Sequence, residues 1–220
     1  MLILAIDTAT TAIGVAVHRD GADPVTSVVL DARAHTEHLA PLVARALEQA
    51  GSTPRDLTDI AVGTGPGPFT GLRVGLVTAV TMGYALGVPV HGVCSLDVLA
   101  EQALAATDAD EVLVATDARR REVYWARYAR AEDGARALTP PAVEPAATIP
   151  EDTRALPTAG RGALLYPDAF PAVLPDVLDV DPARLAAVAR RRLAAGAPMP
   201  VEPLYLRRPD ALTTAERAAR

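Results

Sequence analysis

The sequence predicts an α/β protein of two similar lobes, each a sheet flanked by helices, and three observations support this. Short β-like runs and longer helix-like stretches alternate in the order β-β-β-α-β-α-β over residues 1–107. A weaker repeat of that order begins near residue 111. Half of the 220 residues are apolar, which is enough to form the core of such a fold. We place the first lobe at residues 1–107 and a smaller second lobe at 108–220.

The first lobe is predicted to begin with three short strands and a helix. The strands lie at residues 2–6, 13–17 and 25–30, and the short polar turns between them favour an antiparallel meander. The helix lies at residues 37–50, because apolar residues recur there at intervals of three and four and Gly51 follows. We expect His35 to precede this helix.

The rest of the chain repeats strand and helix signals less regularly. In the first lobe we predict a buried strand at 60–62, a helix that ends at Leu86, a strand at 88–93 and a helix at 95–105. In the second lobe we predict strands at 111–116, 122–128 and near 135–143, a short strand that ends at Gly160, and a helix at 182–195. The arginines at 190–192 lie on that last helix and are interpreted as a solvated face.

A loop rich in glycine and proline runs from Gly63 to Arg73, between a strand and a helix. Glycine allows positive φ and proline fixes φ at about −65°, so the composition predicts a rigid, shaped turn. It is not a nucleotide P-loop, because that motif ends in Gly-Lys-Ser/Thr and the chain has no lysine. The composition alone leaves open a connector without a ligand and a binding loop.

We favour the structural turn, because Pro66 and Pro68 lack the N–H groups that an anion site would use. The residues assigned to this turn are Gly65, Gly67, Phe69, Thr70 and Arg73.

Composition limits the function classes further. The net charge of −6 argues against an extended nucleic-acid surface, which would be basic. The single cysteine, Cys94, excludes an internal disulfide and a zinc site made of cysteines alone; its apolar neighbours favour a buried, inert thiol. His91 is the histidine nearest to Cys94 in sequence, but residues three apart in a strand point to opposite faces, so we expect the two side chains not to meet. The chain begins with a strand pattern and no charged leader, and no stretch predicts a membrane span, so we expect a cytoplasmic protein.

Six motifs carry a family resemblance, in order from residue 4 to residue 207. They are residues 4–8 (LAIDT), 35–39 (HTEHL), 65–73 (GPGPFTGLR), 117–119 (DAR), 122–125 (EVYW) and 203–207 (PLYLR). Together with the repeated β-β-β-α-β-α order, they resemble the bacterial TsaB (YeaZ) family of tRNA threonylcarbamoyladenosine biosynthesis proteins, in the actin/Hsp70/sugar-kinase superfamily. The resemblance implies two similar RNase H-like (actin/Hsp70-type) lobes with mixed five-stranded sheets flanked by helices. The chain departs from the family at Pro68, where serine is usual.

The resemblance implies a non-catalytic subunit. TsaB-like proteins are similar to the catalytic subunit TsaD, and they pair with it and with the ATPase TsaE to move threonylcarbamoyl onto an adenosine that flanks the tRNA anticodon. By this resemblance we expect a TsaD heterodimer, association with TsaE, a homodimer when the chain is alone, tRNA contact only through the complex, and no membrane. ATP and metal are expected on TsaD and TsaE, and no cofactor on this chain.

Two other classes remain as alternatives, a homodimeric structural module and an active enzyme, either a small-molecule kinase or a metallopeptidase. TsaD-like proteins hold a metal with two histidines four residues apart, whereas His35 and His38 are three apart, so we predict no metal site and no catalytic residues. Asp7, Thr8 and Asp117 match the two phosphate loops of the superfamily. Alanine follows Asp117 where active members have glycine, so we interpret the loops as degenerate.

Small residues recur every four positions in the second long helix of the first lobe, at Gly71, Gly75, Ala79 and Gly83. Such a stripe lets another helix come close, and glycine inside a helix costs up to about 1 kcal/mol, so the stripe needs a reason. One interpretation is packing on the chain's own sheet. With the family resemblance we predict instead that the stripe, together with Leu42, contacts the partner subunit.

Overall fold

The first sheet of the computed structural model, which describes residues 1–31 and 34–207, has five strands in the order β3-β2-β1-β4-β5. They are β1 (Leu2–Asp7), β2 (Ala12–Arg19), β3 (Val25–Leu30), β4 (Asp59–Gly63) and β5 (Val90–Val93). Strands β1, β2 and β3 are antiparallel neighbours, whereas β4 runs parallel to β1 and β5 parallel to β4. The predicted meander and the mixed five-stranded sheet are therefore confirmed.

Helices α1 (His35–Gln49) and α2 (Phe69–Leu86) cover one face of this sheet. Helix α1 begins at His35, so the expectation that His35 precedes the helix is wrong. Its N-cap residue, Ala34, makes no side-chain capping bond, and the sequence therefore carries no capping signal at that position. Helix α2 ends at Leu86, and Gly87 after it has a φ of 69°, the left-handed conformation that commonly ends a helix.

Helix α2 is long and apolar enough to cross a membrane by length and composition, and it is the one such helix in the part of the chain that the structure describes. Core helices of globular proteins pass the same test. Here its inner side is buried against the first sheet, through Leu72, Leu76 and Ala79 among others.

The second sheet has the order β10-β6-β7-β8, and β9 also pairs with β7. Its strands are β6 (Glu111–Asp117), β7 (Glu122–Ala131), β8 (Gly134–Ala137), β9 (Ala142–Pro145) and β10 (Thr158–Ala159). The single strand predicted near 135–143 is wrong, because β8 and β9 pair with successive halves of β7. Pro140 and Pro141 separate the two, since proline has no N–H to donate to a sheet. The short helices α4 (Glu151–Arg154) and α5 (Arg161–Leu165) follow.

Two helices, α3 (Ser95–Ala105) and α6 (Pro182–Ala194), lie between the two sheets. Both sheets contribute to one continuous apolar core with them, for example Ile3 and Ala5 from β1 and Val112 and Tyr128 from the second sheet. Helix α6 packs on β1 and β2 of the first sheet. The boundary at residue 107 thus separates the two sheets, but α6, which follows it in sequence, packs against the first lobe.

The arginines of α6 are ion-paired, so their interpretation as a solvated face is wrong. Arg190 pairs with Asp20, Arg191 with Glu101, and Arg192 with Asp97. These pairs join α6 to α3 and to the turn after β2. They join residues distant in sequence, which a pattern within one helix cannot reveal.

The segment after α6 also returns to the first lobe. The Gly92 N–H donates to the Met199 carbonyl at 3.0 Å, and the Leu204 N–H donates to the Thr64 carbonyl at 2.8 Å. We call residues 199–207 the C-terminal strap. The remainder of the predicted second lobe, residues 208–220, lies outside the described residues.

Candidate functional site

The first candidate phosphate loop begins where β1 ends, at Asp7. Its carboxylate is fully buried and accepts two hydrogen bonds, from the Ser95 hydroxyl at 2.6 Å and from the Ala9 N–H at 2.9 Å. Burial raises the pKa of Asp7 to about 6, against the opposing effect of the bond from Ser95. This carboxylate is hydrogen-bonded to the protein's own groups and is not exposed to a ligand.

The loop rich in glycine and proline is anchored to the same residues. The Ser95 N–H donates to the Gly65 carbonyl at 2.8 Å, and the Gly65 N–H donates to the Ser95 hydroxyl at 3.3 Å. Gly65 has a φ of 87°, and a Cβ at Gly67 would overlap the Ala9 carbonyl oxygen. Glycine is thus required at both positions, by conformation at one and by close backbone approach at the other. These contacts are those of an anchored turn.

Thr8 joins this turn to helix α2. Its hydroxyl donates to the Gly71 carbonyl at 2.8 Å and accepts from the Gly75 N–H at 3.0 Å, so it bridges two backbone groups one turn apart in the helix. Both bonds are buried. The hydroxyl that a phosphate loop would offer to a nucleotide is therefore committed to the helix.

A cavity of about 30 Å³ lies where the two lobes meet, and Asp117 and Arg119 line it together with the ion pair of Arg161 and Asp179. Asp7 and Thr8 do not line it, so the structure brings only Asp117 of the three predicted phosphate-loop residues to this cavity. A volume of this size suits one or two water molecules. The Arg161 guanidinium donates to both oxygens of the Asp179 carboxylate, from Nε at 3.0 and 2.9 Å and from Nη2 at 2.6 Å, and this pair forms part of the cavity wall.

Three buried polar atoms at the cavity residues lack a hydrogen-bond partner within the described part of the chain. They are the hydroxyls of Thr10 and Thr116 and the Nε2 atom of His35. Unpaired buried polar groups cost free energy, typically about 1–3 kcal/mol each. Thr10 belongs to the segment that matches the first phosphate loop, whereas the sequence analysis did not single out Thr116, since threonine at a strand end has no distinctive spacing.

The histidines do not converge on a metal site. His38 lies 3.5 Å from the Asp31 carboxylate, and burial lowers the pKa of His35, which favours its neutral form. In residues 1–31 and 34–207, no three His, Cys, Asp or Glu side chains are close enough to hold an ion.

His91, on β5, pairs with Asp59 at 2.9 Å, and Cys94 is the N-cap residue of α3. Burial raises the pKa of the Cys94 thiol to about 12, with a smaller contribution from Asp97, so the thiol stays protonated at neutral pH.

The stripe of small residues on α2 faces the protein's own core. Gly71, Gly75, Ala79 and Gly83 are all buried, and so is Leu42 of α1. A Cβ at Gly75 would overlap the Thr8 hydroxyl, and a Cβ at Gly83 would overlap the Val90 side chain. The prediction that these residues contact a partner is corrected on physical grounds, because β1, its following turn and β5 already occupy the space beside them.

The opposite side of α2 is exposed and apolar. We call Phe69, Arg73, Val77, Val80 and Tyr84 the outer face; the exposed fraction of Val77 is 62% and that of Tyr84 is 91%. The residues recur at intervals of three and four, which places them on one side of the helix. This periodicity was visible in the sequence, but the smaller residues of the stripe drew the interpretation to the wrong side.

Sequence and structure comparisons place the chain among known proteins. Residues 29–159 match the sequence profile of the family described as TsaD, tRNA N6-adenosine threonylcarbamoyltransferase. An uncharacterized protein of Mycobacterium tuberculosis H37Rv is 48% identical over 212 residues, which cover 95% of this chain and 93% of that protein. The tRNA threonylcarbamoyladenosine biosynthesis protein TsaB of Escherichia coli K12 is 43% identical over 136 residues, 61% of this chain and 58% of that protein.

The structural comparison covers both lobes. The solved structure of YeaZ from Pseudomonas aeruginosa has a TM-score of 0.82 and 30% sequence identity to this chain. The match covers 93% of this chain and 99% of that one. The predicted fold of two actin-like lobes is therefore confirmed.

Proposed function

Since the chain belongs to the TsaB (YeaZ) family, we propose that it acts in tRNA threonylcarbamoyladenosine biosynthesis as a non-catalytic subunit. In this proposal it pairs with a TsaD-type transferase and, through that pair, with a TsaE-type ATPase. The names of its relatives support the pathway, and the match to a TsaD profile supports a common ancestry with the transferase. The protein works in the cytoplasm and contacts tRNA only within the complex.

The outer face of α2 is the observation that carries the pairing role. It presents Phe69, Val77, Val80 and Tyr84 to solvent on one side of a helix whose other side is buried. Exposed apolar residues that form a contiguous patch mark interaction sites more often than isolated ones do. A helix face of this kind suits pairing with an apolar helix face of another subunit.

Three groups that could perform chemistry are held within the fold, which supports the non-catalytic part of the proposal. The Asp7 carboxylate and the Thr8 hydroxyl are bonded to backbone and to Ser95, and the Cys94 thiol has a pKa of about 12. The cavity between the lobes is too small for a nucleotide. ATP and metal then belong to the partner subunits.

The same outer face accounts for self-association when the partner is absent, since an exposed apolar face can pair with its own copy in a symmetric dimer. In this proposal the homodimer and the heterodimer compete. The partner should therefore convert one into the other at equal concentrations.

The decisive experiment is reconstitution with TsaD-type and TsaE-type proteins of the same organism. Mass in solution should show a heterodimer with the transferase, and tRNA modification should require all three proteins. The chain alone should show no transferase, kinase or peptidase turnover. Modification that proceeds unchanged without this chain, or turnover by the chain alone that His35→Ala abolishes, would contradict the proposal.

A further inference from the structure

The C-terminal strap lies beside the outer face of α2 and forms a groove with it. The groove has a volume of about 430 Å³, and its lining includes Arg73, Val77 and Val80 from the helix and Val201, Pro203 and Tyr205 from the strap. Arg73 is the one charged residue in this lining. The groove is therefore an apolar surface with a single cation at its edge.

Arg73 is held in a defined orientation by its neighbours. The centre of its guanidinium lies 3.8 Å from the centroid of the Phe69 ring, and its Nε donates to the Tyr205 hydroxyl at 2.9 Å. The rings of Phe69 and Tyr205 are themselves in contact, with centroids 5.3 Å apart. Stacking on an aromatic ring and a hydrogen bond restrict a side chain that would otherwise be mobile.

Arg73 has no carboxylate partner within residues 1–31 and 34–207, although several other arginines do. Arg127, Arg161 and Arg192, for example, each pair with a carboxylate. An apolar segment that covered the groove would remove water from the guanidinium. That desolvation is costly unless the segment supplies an opposite charge.

The strap is fixed in place by features that a loose tail would not need. A Cβ at Gly92 would overlap the Pro200 carbonyl oxygen, so glycine at this position in β5 lets the strap pass. Leu204 is bonded to Thr64, and Arg207 pairs with Glu122 of the second lobe. Tyr205 is thus held between two anchors, at the position where it meets Arg73.

We propose that the strap is part of the docking surface for the partner subunit. The groove binds an apolar segment of that subunit, and Arg73, oriented by Tyr205 and Phe69, receives a carboxylate from the segment. This inference rests on the proposed function. It adds the chemistry of the bound segment and gives the C-terminal strap a role in binding beside α2. A single unpaired cation in a mostly apolar lining fits an occupant that is apolar and carries an acidic residue.

The test measures binding of the full-length chain to the TsaD-type transferase of its organism, by titration calorimetry at about 50 and 200 mM salt. Arg73→Gln should weaken binding at least about tenfold and reduce its salt dependence, because a desolvated charge pair is lost. Tyr205→Phe keeps the ring and removes the hydroxyl, so it should weaken binding about threefold. Gly92→Ala should displace the strap and have an effect between these two. Arg55→Gln, an exposed arginine outside the groove, is the matched control and should bind like the unmodified chain.

The outcomes separate this inference from the proposed function. If the unmodified chain binds the transferase and Arg73→Gln binds equally well with the same salt dependence, the groove assignment is overturned and the pairing role stands. If the unmodified chain does not bind the transferase, both are overturned. Arg73 and Tyr205 are exposed, so their variants should retain the unmodified thermal unfolding profile. The experiment therefore stays decisive if Gly92→Ala fails to fold.

Discussion

The two sides of helix α2 are opposite in character. The inner side carries the stripe of Gly71, Gly75, Ala79 and Gly83 beside the buried Leu72 and Leu76. It lies so close to the turn after β1 and to β5 that a Cβ at Gly75 or Gly83 would overlap a neighbour. The outer side, with Val77 and Tyr84 among its residues, is open to solvent. The glycines of the helix thus face the core, whereas the outer side presents apolar side chains that have no cover.

This difference shows that the size of the residues on a helix face does not by itself identify an interface with another protein. Small residues permit close approach, but they do not say which neighbour approaches. In this chain the neighbour is the Thr8 side chain, whose hydroxyl reaches the backbone of the helix. Large apolar residues without a neighbour are the stronger sign of a partner.

The largest effect is expected on the inner side, for Gly75→Leu. Even a Cβ would overlap the Thr8 hydroxyl there, and leucine adds three more carbons in a closed space. We expect a loss of more than about 3 kcal/mol in the free energy of unfolding, at the upper end of overpacking effects. Urea denaturation of the variant and of the unmodified chain, at the same protein concentration, measures it.

The result for Gly75→Leu decides which side of α2 contacts the transferase. If the variant unfolds like the unmodified chain but no longer binds the transferase, then the stripe is the interface after all. From the structure we expect the opposite result, in which Gly75→Leu destabilises the fold itself.

Asp7 is linked through Ser95 to the loop that precedes α2, and its titration should be visible in stability. Burial raises the pKa of Asp7 from 3.8 to about 6, so the folded chain holds a proton that the unfolded chain has released between these values. Stability from this group is thus present below about pH 4 and is lost as pH rises through about 6, a change of about 2–3 kcal/mol. Asp7→Asn should remove this decline.

The measurement is urea denaturation of both proteins from pH 4 to pH 7, because the difference between them isolates Asp7 from other titrating groups. Equal pH dependence in the two proteins would mean that Asp7 is not buried as the structure has it. The outer side contains no carboxylate in the part described and should contribute nothing to this difference.

On the outer side, Val77→Asp should separate binding from folding. Val77 is largely exposed, so we expect the free energy of unfolding to change by less than about 0.5 kcal/mol. Association with the transferase should weaken by about 2 kcal/mol, because an unpaired carboxylate would be buried in an apolar contact. Val28→Asp is the control, since Val28 is also exposed but lies on β3, the edge strand of the first sheet. Equal weakening by both variants would indicate a general charge effect.

Much of the fold could be predicted because its signals are local. The alternation of strands and helices in the first lobe follows from apolar spacing, and Gly87 after Leu86 marks the end of α2. The start of α1 at His35 could not be predicted, because Ala34 makes no capping bond. Pro140 and Pro141 indicate the break between β8 and β9, although a single strand was predicted there.

The site was less predictable because its contacts join distant residues. Asp7 meets Ser95, Thr8 meets Gly75, and Arg73 meets Tyr205. No periodicity relates these positions. The motif at residues 203–207 could be recognised only by resemblance, and its position beside α2 depends on how the strap crosses β5 at Gly92.

The smallest effect is expected for the Thr8 hydroxyl, which defines the inner side at its closest point. Thr8→Val keeps the shape and removes the hydroxyl, so the buried Gly75 N–H loses its bond to that oxygen and the Gly71 carbonyl loses a donor. We expect a loss of about 1–2 kcal/mol in the free energy of unfolding. Thr8→Ser keeps both hydrogen bonds and loses one methyl group, so it should cost less, about 0.8 kcal/mol. Urea denaturation compares the two.

The relative stability of Thr8→Val and Thr8→Ser is informative, because different results are expected for a hydroxyl that binds a ligand and for one that supports the fold. If the hydroxyl served a phosphate, Thr8→Val would leave stability nearly unchanged and would alter calorimetric titrations with ATP or phosphate. If it serves the helix, Thr8→Val is the less stable of the two and neither variant changes those titrations. The two buried bonds from one hydroxyl to α2 favour the second outcome, because the Gly71 carbonyl already takes the one O–H donor that Thr8 could offer to a phosphate.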